Sequence, residues 1–152
     1  MSAAYLDVVA ADRWCQIRAY GDWADANSMI KAAALVKAAD LIDTHFTFRG
    51  YRQAVDQLRA WPRTGIKDKA GRTISGIPSA VKDANCVLAL ALIEDAGGVA
   101  ELLGLRGAVL SERIGSVAVS YDASRSSSSQ SRIKALLSPF LETTSSSRIK
   151  RT

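Results

Sequence analysis

The residue types that could do chemistry in this chain are few and far apart. His45 is the single histidine, and the two cysteines, Cys15 and Cys86, stand alone in helical contexts. A metal or redox centre needs soft ligands clustered at short spacing. Neither cysteine has a CxxC partner or a neighbouring histidine. Two small buried thiols are the expectation. Ser/His/Asp catalysis would need an activated serine on a strained elbow, and nothing marks one. His45 reads as a helix-end or interface histidine. No catalytic residue, metal ligand or cofactor is expected.

What does cluster is positive charge. The chain carries a net +5, and between Arg49 and Lys82 there are eight cations (Arg49, Arg52, Arg59, Arg63, Lys67, Lys69, Arg72, Lys82) against Asp56 and Asp68. Lys67, Lys69 and Arg72 fall in a Gly-containing polar turn, a composition that argues for exposure. Charge gathered this way faces phosphate or an acidic partner, or is simply a solvated loop. A second cluster, Arg148, Ile149, Lys150 and Arg151, follows a Thr/Ser run. Ile149 gives that tail one apolar contact to offer a partner.

The elements that must position these residues are mainly helices. At 152 residues, with 48% hydrophobic but only 7% aromatic content, the chain suits one modest core of closely packed helices. The longest apolar run, Val87 to Ile93, is far short of a bilayer span, so no membrane partner is expected. The N-terminus has no basic stretch leading into an apolar one, which predicts cytoplasmic synthesis without a signal peptide.

A first helix is expected over about Asp7 to Ala19, broken by Gly21-Asp22. The clearest helix follows, with Ser28, Ala32, Leu35, Ala39, Ile42 and Phe46 in steps of four and three and Ala34, Ala38 and Leu41 widening the stripe. A short helical segment through Ala54, Gln57 and Leu58 is expected to run up to Trp61-Pro62, where proline stops it. Pro78 then opens a helix from Ser79 to about Ala96, with Asn85 on its polar side.

From residue 108 the period changes. Val117, Val119 and Tyr121 alternate with Ala118 and Ser120, which predicts a β-hairpin or extended arm around 108–121. An isolated hairpin is marginal in water, so it pairs with its own helices or with another subunit. Ser124 to Ser131 reads as a flexible linker, then Gln130 to Leu137 as a last helix stopped by Pro139. The expected organisation is thus a helical domain over 1–123 and a linker, short helix and basic tail over 124–152. The fold class is mainly α: a small helical bundle with an added β-hairpin and a flexible C-terminal tail.

The ordered set of local words resembles the head–tail adaptor (connector) proteins of tailed bacteriophages, a group also labelled putative DnaT-like single-stranded DNA-binding proteins. The words are Tyr5-Leu6-Asp7 with Ala11-Asp12 ahead of Trp14, then Trp23, then Ala33-Ala34-Leu35 running into Asp40-Leu41-Ile42-Asp43. They continue with Phe48-Arg49-Gly50, Gln57 to Arg63, Asp68, Gly71, Ile77-Pro78 with Val81-Lys82, Ser111 to Gly115, and Val119-Ser120-Tyr121. Coverage runs from Tyr5 to Tyr121, more loosely through Leu136-Leu137.

The resemblance implies a non-enzymatic virion protein, synthesised in the host cytoplasm. It implies a homo-oligomeric ring, usually dodecameric, beneath the portal, with double-stranded DNA passing through and the next neck, stopper or tail component docking distally. In that reading Lys67, Lys69 and Arg72 are DNA-facing candidates, and Arg148, Ile149, Lys150 and Arg151 portal-docking candidates. Trp14, Trp61 and Pro62 are structural anchors. The alternative label, a single-stranded DNA-binding replication accessory, requires exposed aromatic platforms in a cationic groove. Trp14, Trp23 and Trp61 instead lie next to apolar periodicity, where core anchors belong.

Overall fold

The computed structural model of the chain describes residues 3–94 and 123–143. The order of elements is α1 (Val8–Ile17), α2 (Gly21–Asp25), α3 (Ser28–His45), strands β1 (Tyr51–Arg52) and β2 (Arg63–Thr64), α4 (Ser79–Glu94) and α5 (Ala123–Leu137). A 3-10 turn, Ser138–Phe140, follows. The protein is mainly helical with a small antiparallel hairpin. No helix among the described residues is long and apolar enough to cross a membrane.

Local chemistry sets the helix starts. The Asp7 carboxylate accepts from the Ala10 N–H at 2.8 Å, and the Asn27 side chain accepts from the Ile30 N–H at 2.9 Å. Each satisfies one of the donors that a helix N-terminus leaves without a partner. The Pro78 carbonyl accepts from Val81 and Lys82 at the start of α4. Between α1 and α2 the chain reverses through Ala19 at φ 56°, and Gly21-Asp22, expected only to break α1, opens a further short helix.

The centre of the molecule is α4, packed against α3 on one side and α5 on another. Its residues from Ala84 to Leu90 are all buried, which is the signature of a helix enclosed on every side. Alanines on both helices, Ala34, Ala38 and Ala39 on α3 and Ala84 and Ala89 on α4, are buried. Small side chains there allow the backbones to approach closely.

Asn85 differs from its expected polar placement: it is fully buried. Its Oδ1 accepts from the Tyr5 N–H at 3.1 Å and its Nδ2 donates to the Leu35 carbonyl at 3.0 Å. A buried amide with both ends bonded ties the N-terminal segment, α3 and α4 together. Left unpaired it would cost about 1–3 kcal/mol.

Two expectations are corrected. The Ser-rich stretch 124–131 is not a linker: α5 begins at Ala123 and is continuous to Leu137. Serine is only mildly unfavourable inside a helix, and extending a formed helix is far easier than starting one. Burial of Ile133 and Leu137 supplies the anchored end from which it extends.

The segment expected to be helical before Trp61 is a run of turns and bends instead. Gln57, Arg59 and Trp61 are buried while Leu58 is exposed, a period of two rather than 3.6. Here Trp61–Pro62, a cis peptide, ends no helix. Among the described residues a hairpin pairs Tyr51 with Thr64 and Arg52 with Arg63, antiparallel. Gly50, at φ 71°, makes it possible, because a Cβ there would lie 2.3 Å from the Thr64 carbonyl oxygen. The hairpin expected around 108–121 lies outside the described residues.

After Pro139 the chain clasps the segment that leaves α3. Phe48 and Leu141 form an antiparallel bridge, the Arg49 N–H donates to the Phe140 carbonyl at 2.8 Å, and the Glu142 N–H donates to that of Thr47 at 2.9 Å. Trp61 fills the space beneath. It meets Phe48 and Phe140 edge-on, with ring centroids 5.6 and 5.5 Å away.

Candidate nucleic-acid interface

The basic segment divides into two populations. Arg59 and Arg63 turn inward. Arg59 is 8% exposed. Its guanidinium donates to Asp40 at 2.6 Å, to Asp43 at 3.3 Å and to the Ala3 carbonyl. Asp43 also accepts from the Tyr5 hydroxyl, and burial together with that carboxylate pushes the Tyr5 phenol well above its ordinary value. Arg63 donates to four backbone carbonyls, those of Phe48, Arg49, Gly50 and Ala60. Burial, aided by the charge of Arg52, pulls the Arg63 pKa below its ordinary value. These two cations hold loops in place.

The second population is outside. Arg52, Lys67, Lys69, Arg72 and Lys82 are exposed. Lys67, Lys69 and Arg72 share one tight turn closed by a bridge between Lys67 and Thr73. Asp68 organises it. Its backbone N–H donates to the Arg72 carbonyl at 2.9 Å, and its Oδ1 accepts from the N–H groups of Ala70 and Arg72. Those backbone donors, Arg72 first, hold its carboxyl below the usual range. The Arg72 side chain also donates to Asp68, at 2.8 Å, so part of its charge is answered within the turn. Lys67 and Lys69 carry no ion pair with another described residue. The turn therefore presents two ammonium groups and one partly neutralised guanidinium on a rigid backbone, which suits phosphate and offers no base readout.

The aromatic residues point the other way. Trp14, Trp23 and Trp61 are all buried. The Trp14 Nε1–H donates to Asp83 at 2.9 Å, and the Arg18 guanidinium lies 4.0 Å from its ring centroid. The Trp23 Nε1–H donates to Asp12 at 2.8 Å, and Lys31 completes that site at 2.9 Å. Hydrogen bonds from Lys31 and then Trp23 hold the Asp12 carboxyl below its ordinary value. Among the described residues the Trp61 Nε1–H alone is buried without a partner, leaving the ring's contacts to hold it. Among the described residues Tyr51 is the one aromatic ring left mainly in solvent, at 78% exposure.

Sequence reasoning read Arg59 and Arg63 only as members of a charged patch. The signal that they are internal was the alternation of Gln57, Arg59 and Trp61, together with the Asp40/Asp43 pair three residues apart on a helix. Gln57 completes this frame: its amide donates to the carbonyls of Arg59 and Pro62 and accepts from the Ala54 N–H. The exposed apolar residues of the same loop, Val55 and Leu58, were also missed.

Cys15 and Cys86 are buried, and burial pushes their thiols up to about 11 and about 12. Both are protonated at neutral pH, which leaves little thiolate for chemistry. His45 lies exposed in the last turn of α3. Among the described residues no group of three or more His, Cys, Asp and Glu is placed to hold a metal ion. The tail candidates Arg148, Ile149, Lys150 and Arg151 lie outside the described residues.

No curated protein and no solved structure matches the chain. One family model does, over residues 2–152, and its description is "Putative DnaT-like ssDNA binding protein". The chain belongs to that family.

Proposed function

We propose that the protein is a structural head–tail adaptor of a tailed phage. In this reading copies form a ring beneath the portal, DNA passes through it during packaging and ejection, and the next neck or tail component docks on its far side. The protein then resides in the virion and performs no turnover chemistry. The observation that carries the proposal is the disposition of aromatics against charge. Three tryptophans lie in the core, while two exposed ammonium groups, Lys67 and Lys69, sit in a tight turn. Such a surface meets a duplex backbone by position alone and, among the described residues, has no row of stacking platforms for unpaired bases. The ordered adaptor-like words, from Tyr5 to Tyr121, support the same reading.

The basic tail, Arg148 to Arg151, belongs to this proposal as a portal-docking element. Deleting residues 148–152 should leave the subunit folded and reduce its attachment to portal-bearing heads.

A second reading, a single-stranded DNA-binding accessory, is favoured by the family's description and by Tyr51, exposed beside Arg52. Binding measured against matched single- and double-stranded DNA separates the two. The adaptor reading expects weak binding to both forms, steeply reduced by salt, and unchanged by Tyr51→Ala. A strong preference for single strands, abolished by Tyr51→Ala, establishes the accessory instead.

A further inference from the structure

The basic turn from Lys67 to Arg72 carries an anion of its own, and the two oxygens of that anion do different work. The Asp68 Oδ1 accepts from the backbone N–H groups of Ala70 and Arg72, at 2.9 Å each, and fixes the path of the chain. The Asp68 Oδ2 accepts from the Arg72 side-chain Nε–H at 2.8 Å and occupies the guanidinium. Among the described residues this is the one ion pair made by Lys67, Lys69 or Arg72.

The turn closes without help from Oδ2. Lys67 and Thr73 form a bridge across its base, and the Ile74 N–H donates to the Ile66 carbonyl at 2.9 Å. Further up, the Asp68 N–H donates to the Arg72 carbonyl at 2.9 Å and the Gly71 N–H to the Asp68 carbonyl at 3.0 Å. Gly71 supplies the reversal at φ 80°. The side-chain pair is therefore spare to the backbone, and it is also open to exchange. The Arg72 side chain is 81% exposed and that of Asp68 30%. Water and salt screen such a pair, so its hold is weak. Carboxylate and phosphate compete for the same guanidinium fork.

We infer that Asp68 is a built-in phosphate surrogate: its Oδ2 holds the Arg72 guanidinium until a backbone phosphate of DNA takes its place. Arg72 must give up one anion to gain another, so it adds little net binding. Lys67 and Lys69 release only counterions. Asp68 is thus a positioning residue that acts through Arg72 and sets how tightly the turn grips DNA. The inference deepens the adaptor reading and rests on its DNA-facing turn.

Because the two oxygens work separately, one substitution parts them. Asp68→Asn keeps an oxygen for the N–H groups of Ala70 and Arg72 and replaces the other with an amide nitrogen, which cannot accept from a guanidinium. The site is on the surface, and circular dichroism verifies folding. Asp68→Ser, whose hydroxyl accepts from the same kind of N–H group, stands in should Asp68→Asn misfold.

Binding of the full-length protein to a short mixed-sequence DNA duplex, read by fluorescence anisotropy across a salt series, is the test. Asp68→Asn should bind about three- to tenfold more tightly than wild type at low salt, with a log–log salt dependence steeper by ~0.9, the share of one phosphate contact. In an Arg72→Gln background the same substitution should gain less than roughly twofold, which separates a released guanidinium from the mere loss of a negative charge. Unchanged or weaker binding by folded Asp68→Asn overturns the inference, as does a gain that persists undiminished without Arg72. Lys67→Ser and Lys69→Ser, measured alongside, show whether the DNA-facing turn survives that failure: it does if they weaken binding, and falls too if they do not. The expected gain in a protein absent from virions would keep the surrogate and remove the adaptor.

Discussion

The Arg59 guanidinium reaches Asp40 at 2.6 Å from a buried position in an irregular loop, and through it the loop is fastened to α3. The same side chain donates to Asp43 and to the Ala3 carbonyl, so three stretches of chain meet at one cation. Asp40 is 62% exposed on its side chain and Asp43 19%, so solvent screens the first pair more than the second.

Arg59→Ala should destabilise the protein by about 2–3 kcal/mol, because Asp43 and the Ala3 carbonyl lose a donor that water only partly replaces. At this size that lowers the melting temperature by roughly 4–12 °C. Arg59→Lys should recover only part, since an ammonium cannot span all three acceptors. A thermal melt checks both. An unchanged melting temperature for Arg59→Ala would reduce the residue to a surface cation.

Trp61→Ala should cost about 3–5 kcal/mol, the range for truncating a large buried aromatic. Trp61→Phe should lose less, since it keeps a ring against Phe48 and Phe140 and removes the unpartnered N–H. Urea denaturation orders the three proteins. A Trp61→Ala variant that folds and assembles normally yet no longer binds single-stranded DNA would make the tryptophan a stacking residue.

The legibility of the sequence divides along the same line. The helices were readable because apolar spacing acts locally: Leu35, Ala39 and Ile42 bury as their period demands, although Ser28 and Ala32 of the same series stay exposed. The loop from Tyr51 to Pro62 was not readable. Its conformation is set by contacts with distant residues, Asp40, Asp43 and Phe140, that no local pattern announces. The serines of α5 mislead for a related reason, since composition signals flexibility while the anchor lies further on, at Ile133 and Leu137. For the candidate site, the exposed turn was legible from its polar, Gly-containing composition. The inward turn of Arg59 and Arg63 required the fold.

Replacing Lys67, Lys69 and Arg72 together with Ser should leave stability within about 0.5 kcal/mol, as befits exposed side chains. Duplex DNA binding should weaken and its salt dependence flatten by up to ~2.7 in log–log slope, the share of three phosphate contacts. Lys67→Ser and Lys69→Ser should each contribute more than Arg72→Ser, which removes a cation already paired with Asp68. Filter binding across a salt series reads the effect. An unchanged slope makes the turn a solvated loop.

Asp12 couples α1 to Trp23 and Lys31, and its folded-state carboxyl lies below the ordinary 3.8. A depressed folded value means the unfolded chain takes up the proton first. The stabilisation is therefore present above pH 3.8 and lost as pH falls below it towards the folded value. Asp12→Asn should be less stable than wild type at neutral pH, with the gap closing in acid. Melts from neutral pH down to about pH 2 test this; a gap that widens in acid contradicts it.

The most direct test of the adaptor account is the location of the protein in the phage particle. Cryo-EM of purified virions, with mass spectrometry of the same preparation, should place multiple copies in a ring between portal and tail, with the Lys67–Arg72 turn towards the DNA. Finding the protein in infected-cell cytosol but absent from purified particles would contradict it.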